Sequence, residues 1–473
     1  MKTSTPHPPH IPYGTLSYWH ATAPLRGPHR PVEVGRDYDV AIVGGGYTGL
    51  WTAYHLVTRH PGMSVAVFEK EEVGFGASGR NGGFAMTLLH HSLDHLVRTY
   101  GVEEARGVRK AATAAVRGIA SVVSDEQIDC EMDFGGLLVV ATNDAQARKV
   151  QRDLAAAAKL GLDDLKELTG DECRELVNSP AYQIGYREAD CAVLHPCKLA
   201  RGLADVVVAR GVHLYERAAV TDIGVTNGHP VHVQTTQGGI TAEQVVCGLN
   251  AWSARFPGFR RDVAPAYTYI LATEPIPDSL WSEIGWDGRE GVEDKRYHVQ
   301  YYRRTRDGRI LWGGYFTTQP YDARIDARHD ADPKIFGLLA TSFVDTFPQL
   351  SSVRFTHGWG GPIALTVGLM PIFGTLGGGR VHYGHGYCGH GVGPSFLGGE
   401  ILADLVEGRR TDKTELCFVN RPHSHWPAEP LGTVSGRLAF RESFWRDAAG
   451  DSGEDGRREP LSLRVGMRLF GNG

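Results

Sequence analysis

The chain has no paired-cysteine motif. Its seven cysteines are dispersed through 473 residues, and the closest, Cys191 and Cys197, do not form a C-x-x-C pair. An odd, scattered set suits reduced thiols and excludes a disulfide scaffold. H-E-x-x-H is also missing, and with 21 histidines chance clusters are common. His90, His91, His382, His385 and His390 are therefore read as loop and helix residues, and no metal is expected. No apolar run approaches the roughly 18 residues of a membrane span, and the first residues form no apolar leader. A formal net charge of -5 removes the basic balance on which nucleic-acid or anionic-membrane binding rests. The expectation is a cytoplasmic protein without nucleic-acid or membrane partners.

What is present is an ordinary globular composition, 42% hydrophobic and 22% charged. A single core does not serve a chain of this length, so two intertwined domains are expected. The most informative stretch is residues 38–70. Tyr38 to Val43 is a short apolar run, Gly44, Gly46 and Gly49 form G-x-G-x-x-G, and Leu50 to His60 reads as a helix stopped by Pro61-Gly62. A second apolar strand, Ser64 to Phe68, ends at Glu69, about 20 residues past the last glycine, where a βαβ dinucleotide site places an acid for the ribose hydroxyls. The glycines serve a tight turn, backbone approach to a pyrophosphate and close helix–strand packing, and the helix N-terminus faces the phosphates. An acid at Glu69 argues against a ribose 2′-phosphate, which leaves FAD or NAD.

Directly after comes GFGASGRNGGF, residues 74–84, whose glycines let the backbone lie against a flat or charged group. Glu69-Lys70 followed by this loop resembles the flavin loop of the D-amino acid oxidase, glycine oxidase and sarcosine oxidase superfamily, above all its γ-glutamylputrescine oxidase-like branch. The resemblance spans roughly 37–420. It implies an α/β fold in which a Rossmann-type FAD-binding domain (37–90, 189–255 and 356–420) is interrupted by an antiparallel-sheet cap domain (91–188 and 256–355). Residues 1–36 form an N-terminal arm and 421–473 a tail that wraps the surface.

The same resemblance implies the cofactor residues. Gly44, Gly46, Tyr47, Thr48, Gly49, Glu69 and Lys70 belong to the fingerprint; Ala77, Ser78, Arg80, Asn81, Gly82 and Gly83 run past the pyrophosphate, ribityl chain and flavin ring. Val220 reads the adenine, Asn250, Ala251 and Trp252 give a second contact, and Gly389, His390, Gly391, Val392 and Gly393 open a helix aimed at the pyrimidine edge of the flavin. Relatives that bind FAD covalently use a cysteine in the segment matching 358–362, which here reads Gly-Trp-Gly-Gly-Pro, so the flavin is expected to be non-covalent. Glycine oxidases place a carboxylate-binding arginine in the same region, and residues 358–374 contain none. The implied reaction is oxidation of a primary or secondary amine, with hydride passing to the flavin, imine hydrolysing to aldehyde, and O2 or another acceptor taking the electrons, as H2O2 for an oxidase. An amino acid oxidase or dehydrogenase, a tailoring oxidase or hydroxylase, and a non-catalytic flavin-binding protein are the alternatives, and oligomerisation stays open.

Local patterns complete the reading. Residues 88–126 are expected as helix broken near Gly101, 132–142 as strand, 144–160 as helix ending at Gly161, and 165–177 as a short helix. Asp307-Gly308 sets a hairpin between 296–304 and 309–316. Its aromatics and neighbours, Tyr267, Tyr269, His298, Tyr301, Tyr302 and Trp312, with Trp359, are the candidates for a substrate pocket, although alternation lets only about half face the flavin. His195 and Lys198 are candidate cations near the flavin, and Arg303, Arg304 or His298 candidate anion contacts.

Overall fold

The computed structural model describes residues 17–27, 29–87, 89–226, 229–317 and 321–453. Tyr13 of the arm and the tail beyond 453 lie outside them. The strand Asp37–Val43 is the centre of the first sheet, paired in parallel with Gly238–Cys247 on one side and Val65–Phe68 on the other. Beyond Val65–Phe68 lies His213–Tyr215; beyond Gly238–Cys247 lie Val381–His385, parallel, and Ile372–Leu376, antiparallel. Helices cover one face and Val231, Val233 and Phe259 pack on the other, so the central strand is apolar on both faces, with Val40, Ala41, Ile42 and Val43 all buried. The helices Tyr47–Arg59 and Val392–Val406 pack together on one face, where Trp51 meets Phe396 edge-on at 4.9 Å.

The second sheet runs in the order Phe355–Leu365, Ala264–Thr273, Ile310–Thr317, Tyr301–Arg304, Gly291–Asp294, Leu137–Ala141, Ile184–Glu188, Leu165–Thr169. Its pairs are antiparallel apart from Leu137–Ala141 with Gly291–Asp294. This is the cap sheet, and the hairpin turns at Asp307-Gly308 as the dipeptide indicates. The strand Phe355–Leu365 pairs with Ala264–Thr273 along its length, so the expected boundary at 356 falls inside a cap-sheet strand.

Local readings divide by how far their signal is self-contained. The helix Asp144–Leu160 starts at an Asn143 cap and stops at Gly161 in the left-handed region. The long helical stretch breaks at Gly101 into Leu93–Tyr100 and Val102–Asp125. Residues 165–177 are not one helix: Leu165–Thr169 is an edge strand paired with Ile184–Glu188, and Gly170–Leu176 follows. Thr169 and Glu172 form a capping box that starts the helix there.

The described parts of the arm and of the tail are built into the body. In the arm, Trp19 is completely buried, donates Nε1–H to Asn81 O (2.7 Å), and lies 5.2 Å from the Arg303 guanidinium. The tail does not merely wrap the surface; it forms the helix Leu431–Asp451, docked on the cap sheet. Ser443 Oγ meets His298 Nε2 at 2.8 Å, and the Asp447 carboxylate accepts from the amides of Tyr297 and His298.

The cap sheet's outer face packs on the helix Pro333–Thr346 through Trp312, Tyr302 and Phe343, with Tyr302 stacked on Trp312 at 4.1 Å. Truncating a buried indole there leaves a cavity that cannot close. Trp312→Ala is expected to cost about 3–5 kcal/mol of stability, read as a lowered thermal midpoint of the FAD-loaded protein; an unchanged midpoint would contradict this packing.

Candidate active site

The turn after Asp37–Val43 has the geometry its glycines suggest. Gly44 sits at φ +111°, and a Cβ there would lie 2.6 Å from Gly248 O. A Cβ on Gly49 would run into Gly44 O, so helix and strand meet only because none is present. The helix Tyr47–Arg59 therefore begins against the strand end, and its N-cap, Gly46, offers no side chain to its own amides. Ser78 Oγ accepts from Tyr47 N at 2.9 Å, which ties the helix start to the 74–83 loop. Glu69 accepts from Gly45 N (2.7 Å) and Glu71 N (2.9 Å), and burial pushes its carboxyl up to about 6.

A cavity of about 1090 Å³ starts here and runs to the cap sheet. Gly44, Gly46, Tyr47, Thr48, Glu69 and Lys70 line one end with Val220, Asn250 and Trp252. Ala77, Ser78, Arg80, Asn81 and Gly82 line its middle, and Gly389, His390, Gly391 and Val392 approach from the start of Val392–Val406. Gly49, Gly83, Ala251 and Gly393 lie behind this wall. Tyr387 OH bonds Thr48 Oγ1 at 2.9 Å, fixing the two helix starts relative to each other. His90 and His390 stand together, ring centres 5.4 Å apart, and burial drives them down to about 3 and about 4, so both are neutral.

The far end is a chamber between the cap sheet and the C-terminal helix, lined by Glu293, Tyr297, Tyr301, Phe316, Phe440 and Ser443. Of the expected pocket aromatics only Tyr301 lines it. Strand alternation decides the rest: Tyr267, Tyr269, Tyr302 and Trp312 point to the outer core with Val292, whereas Tyr301 and Glu293 occupy the inner face. Trp359 shares the face of Gly361 and Ile363 but lies under the loop, donating Nε1–H to Arg80 O at 2.8 Å. His298 is buried beneath the C-terminal helix, 3.9 Å from the Phe444 ring centre.

The candidate charges are committed elsewhere. His195 caps the helix Pro196–Ala209, and Lys198 pairs with Glu131 at 2.7 Å. Arg303 Nη1 donates to Gly83 O and Leu194 O, and Arg304 stacks on Trp281. Sequence reasoning missed Glu293, Tyr297, Phe316, Phe440 and Ser443; of these Phe440 carried a signal, since it shares a helix face with Phe444 at i, i+4.

The cavity fits FAD: it has a glycine cradle at a helix start, a buried carboxylate in the ribose position, and a second helix start beyond. Gly44, Gly46 and Ser78 would hold the pyrophosphate and Glu69 the ribose. A charge-assisted hydrogen bond is worth about 1.5–3 kcal/mol, so Glu69→Gln is expected to weaken FAD binding about ten- to hundredfold. Flavin fluorescence on reconstitution of the apoprotein checks this, and undiminished affinity would contradict it.

Comparison with known proteins agrees with this geometry. The family model described as "FAD dependent oxidoreductase" matches residues 39–405. The γ-glutamylputrescine oxidoreductase of Escherichia coli (strain K12) is 34% identical over 417 residues, covering 87% of this chain and 93% of that protein. A probable oxidoreductase OrdL of Rhizobium meliloti (strain 1021) is 31% identical, covering 84% and 89%. Among solved structures, glycine oxidase from Geobacillus kaustophilus aligns with a TM-score of 0.68 at 23% identity, covering 82% of this chain and 100% of that one. The chain belongs to the FAD-dependent oxidoreductase (DAO) family.

Proposed function

We propose that the protein oxidises the C–N bond of a primary or secondary amine to the imine, which water converts to an aldehyde, with O2 taking the electrons as H2O2. Bound FAD supplies the two-electron acceptor for the hydride that leaves the carbon next to nitrogen. The observation that carries the reading is the charge of the chamber. Glu293 is its buried acid; the wall strand Phe355–Leu365 brings no arginine, Arg80 is already paired with Asp330 at 2.8 Å, and Arg261, the other guanidinium on the cavity wall, gives its Nε–H to Trp426 O at 2.7 Å. A free α-amino acid carboxylate finds no fork to meet it there, whereas an ammonium group does. The similarity to a γ-glutamylputrescine oxidoreductase supports an amine substrate.

The protein's own part is to position and to exclude water. Tyr301 fits against Gly82 of the loop and Phe84, and burial pushes its phenol up to about 12, so it remains a neutral wall. The C-terminal helix roofs the chamber with Phe440 and Ser443. No side chain is assigned as acid or base, since the amine enters the reaction neutral at its reacting nitrogen. The flavin is held non-covalently: Cys388, the cysteine in the described lining, gives its Sγ–H to Gly386 O, and burial pushes its thiol up to about 11.

Glu293 makes the reading testable. Burial pushes its carboxyl up to about 7, opposed by Lys295 at 3.8 Å. A second, cationic nitrogen on the substrate binds the ionised form, so KM for a diamine should fall as pH rises through about 7. With peroxide production as the assay, Glu293→Gln should raise KM for a diamine about ten- to hundredfold (about 1.5–3 kcal/mol), leave a monoamine little changed, and flatten that pH dependence. Equal shifts for both substrates would overturn Glu293 as the selecting group.

A further inference from the structure

On the cavity wall, where the tail crosses the turn after Phe256 and His423 and His425 line the cavity, Asp262, His423 and His425 place a carboxylate oxygen and two imidazole nitrogens within 4.8 Å of one another. His425 Nδ1 lies 2.9 Å and His423 Nε2 3.3 Å from Asp262 Oδ1. The other carboxylate oxygen is 3.6 Å from Nε2 of His385. An ion bound tetrahedrally at about 2.0–2.2 Å separates its ligands by about 3.3 Å, close to the two distances that Asp262 Oδ1 makes to the imidazoles.

Hydrogen bonding leaves these groups incomplete. His385 is fully buried, and neither ring nitrogen makes a hydrogen bond among the described residues; His423 Nε2 is likewise buried without one. Buried imidazole nitrogens without partners are costly, and a cation is a partner that satisfies them. His423 Nδ1 faces Arg421 O at 3.4 Å, the outer contact that leaves Nε2 free to coordinate. The His425 side chain is about half exposed, which gives an ion a way in.

We propose that Asp262, His423 and His425 bind one divalent transition ion of the zinc class, with water in the remaining position and His385 as an outer contact of the Asp262 carboxylate. Two imidazoles and a carboxylate suit that class and not Mg²⁺ or Ca²⁺. The ion fastens the tail to the core at the point where Trp426 N and Arg261 O already meet, just before the helix that roofs the chamber. The ion's role is structural, although two of its ligands, His423 and His425, stand on the cavity wall. Its positions, 262, 423 and 425, form no recognisable motif, which is why the sequence led to the expectation of no metal.

The test uses the full-length, FAD-loaded protein, stripped by a chelator and titrated calorimetrically with Zn²⁺, with Co²⁺ absorption reporting geometry. Expected are one Zn²⁺ per chain with a micromolar or tighter Kd, a tetrahedral Co²⁺ spectrum, and a Tm raised by Zn²⁺. The double variant His423→Ala/His425→Ala, its fold checked by circular dichroism, should bind at least a hundredfold more weakly and lose the Tm rise. His91→Ala, which removes a histidine outside the cluster, should bind as the native chain does. Absence of stoichiometric binding, or equal binding by the double variant, overturns the proposal.

Discussion

The rest of the structure depends on how the 74–83 loop disposes of its backbone. Its glycines, Gly74, Gly76, Gly79, Gly82 and Gly83, expose carbonyls in a place sealed from water, where each must find a donor or cost about 1–3 kcal/mol. The donors come from distant parts of the chain. Ser17 Oγ serves Gly79 O, Trp19 serves Asn81 O, Trp359 serves Arg80 O, and Arg303 serves Gly83 O. One loop therefore ties together the arm, the nucleotide sheet and the cap sheet. Arg303 shows the cost: burial pulls its guanidinium down to about 9, and it is held by two carbonyls and the Trp19 ring.

That clamp explains the division of labour along the cavity. With its carbonyls turned outward to those donors, the loop presents its other side to the cavity, between a glycine turn and a second helix start. Thr48 and Tyr387 couple the two helix starts directly, so the cradle is set before a cofactor arrives. Selectivity lies further on, in the chamber, where the inner face of the cap sheet and the C-terminal helix meet. Cofactor binding and substrate choice thus rest on separate elements, which is why a family can keep the first and vary the second.

The nucleotide half was legible because its signals are local. Gly44 and Gly49 occupy their positions for reasons of backbone contact within a few residues, and Glu69 follows at a spacing that the intervening helix dictates. The helix 144–160 and the Asp307-Gly308 hairpin carried their own stop and turn residues. The chamber was not legible in this way. Tyr301 and Tyr302 are adjacent and chemically alike, and only the sheet's orientation puts one beside the loop and the other in the outer core. Trp359 and Arg303 were read as candidate ligand contacts, and long-range hydrogen bonding makes them supports of the loop. The Thr169 capping box and the Phe440, Phe444 spacing were readable but yielded to stronger neighbouring patterns.

The proposed amine selectivity rests on the charge of the chamber into which the FAD cradle opens. The most direct measurement is an anaerobic visible titration of the FAD-bound protein with a linear diamine and with the α-amino acid of the same carbon length. The account predicts that the diamine bleaches the flavin band and the amino acid leaves it unchanged at equal concentration. Bleaching by the amino acid alone would contradict it.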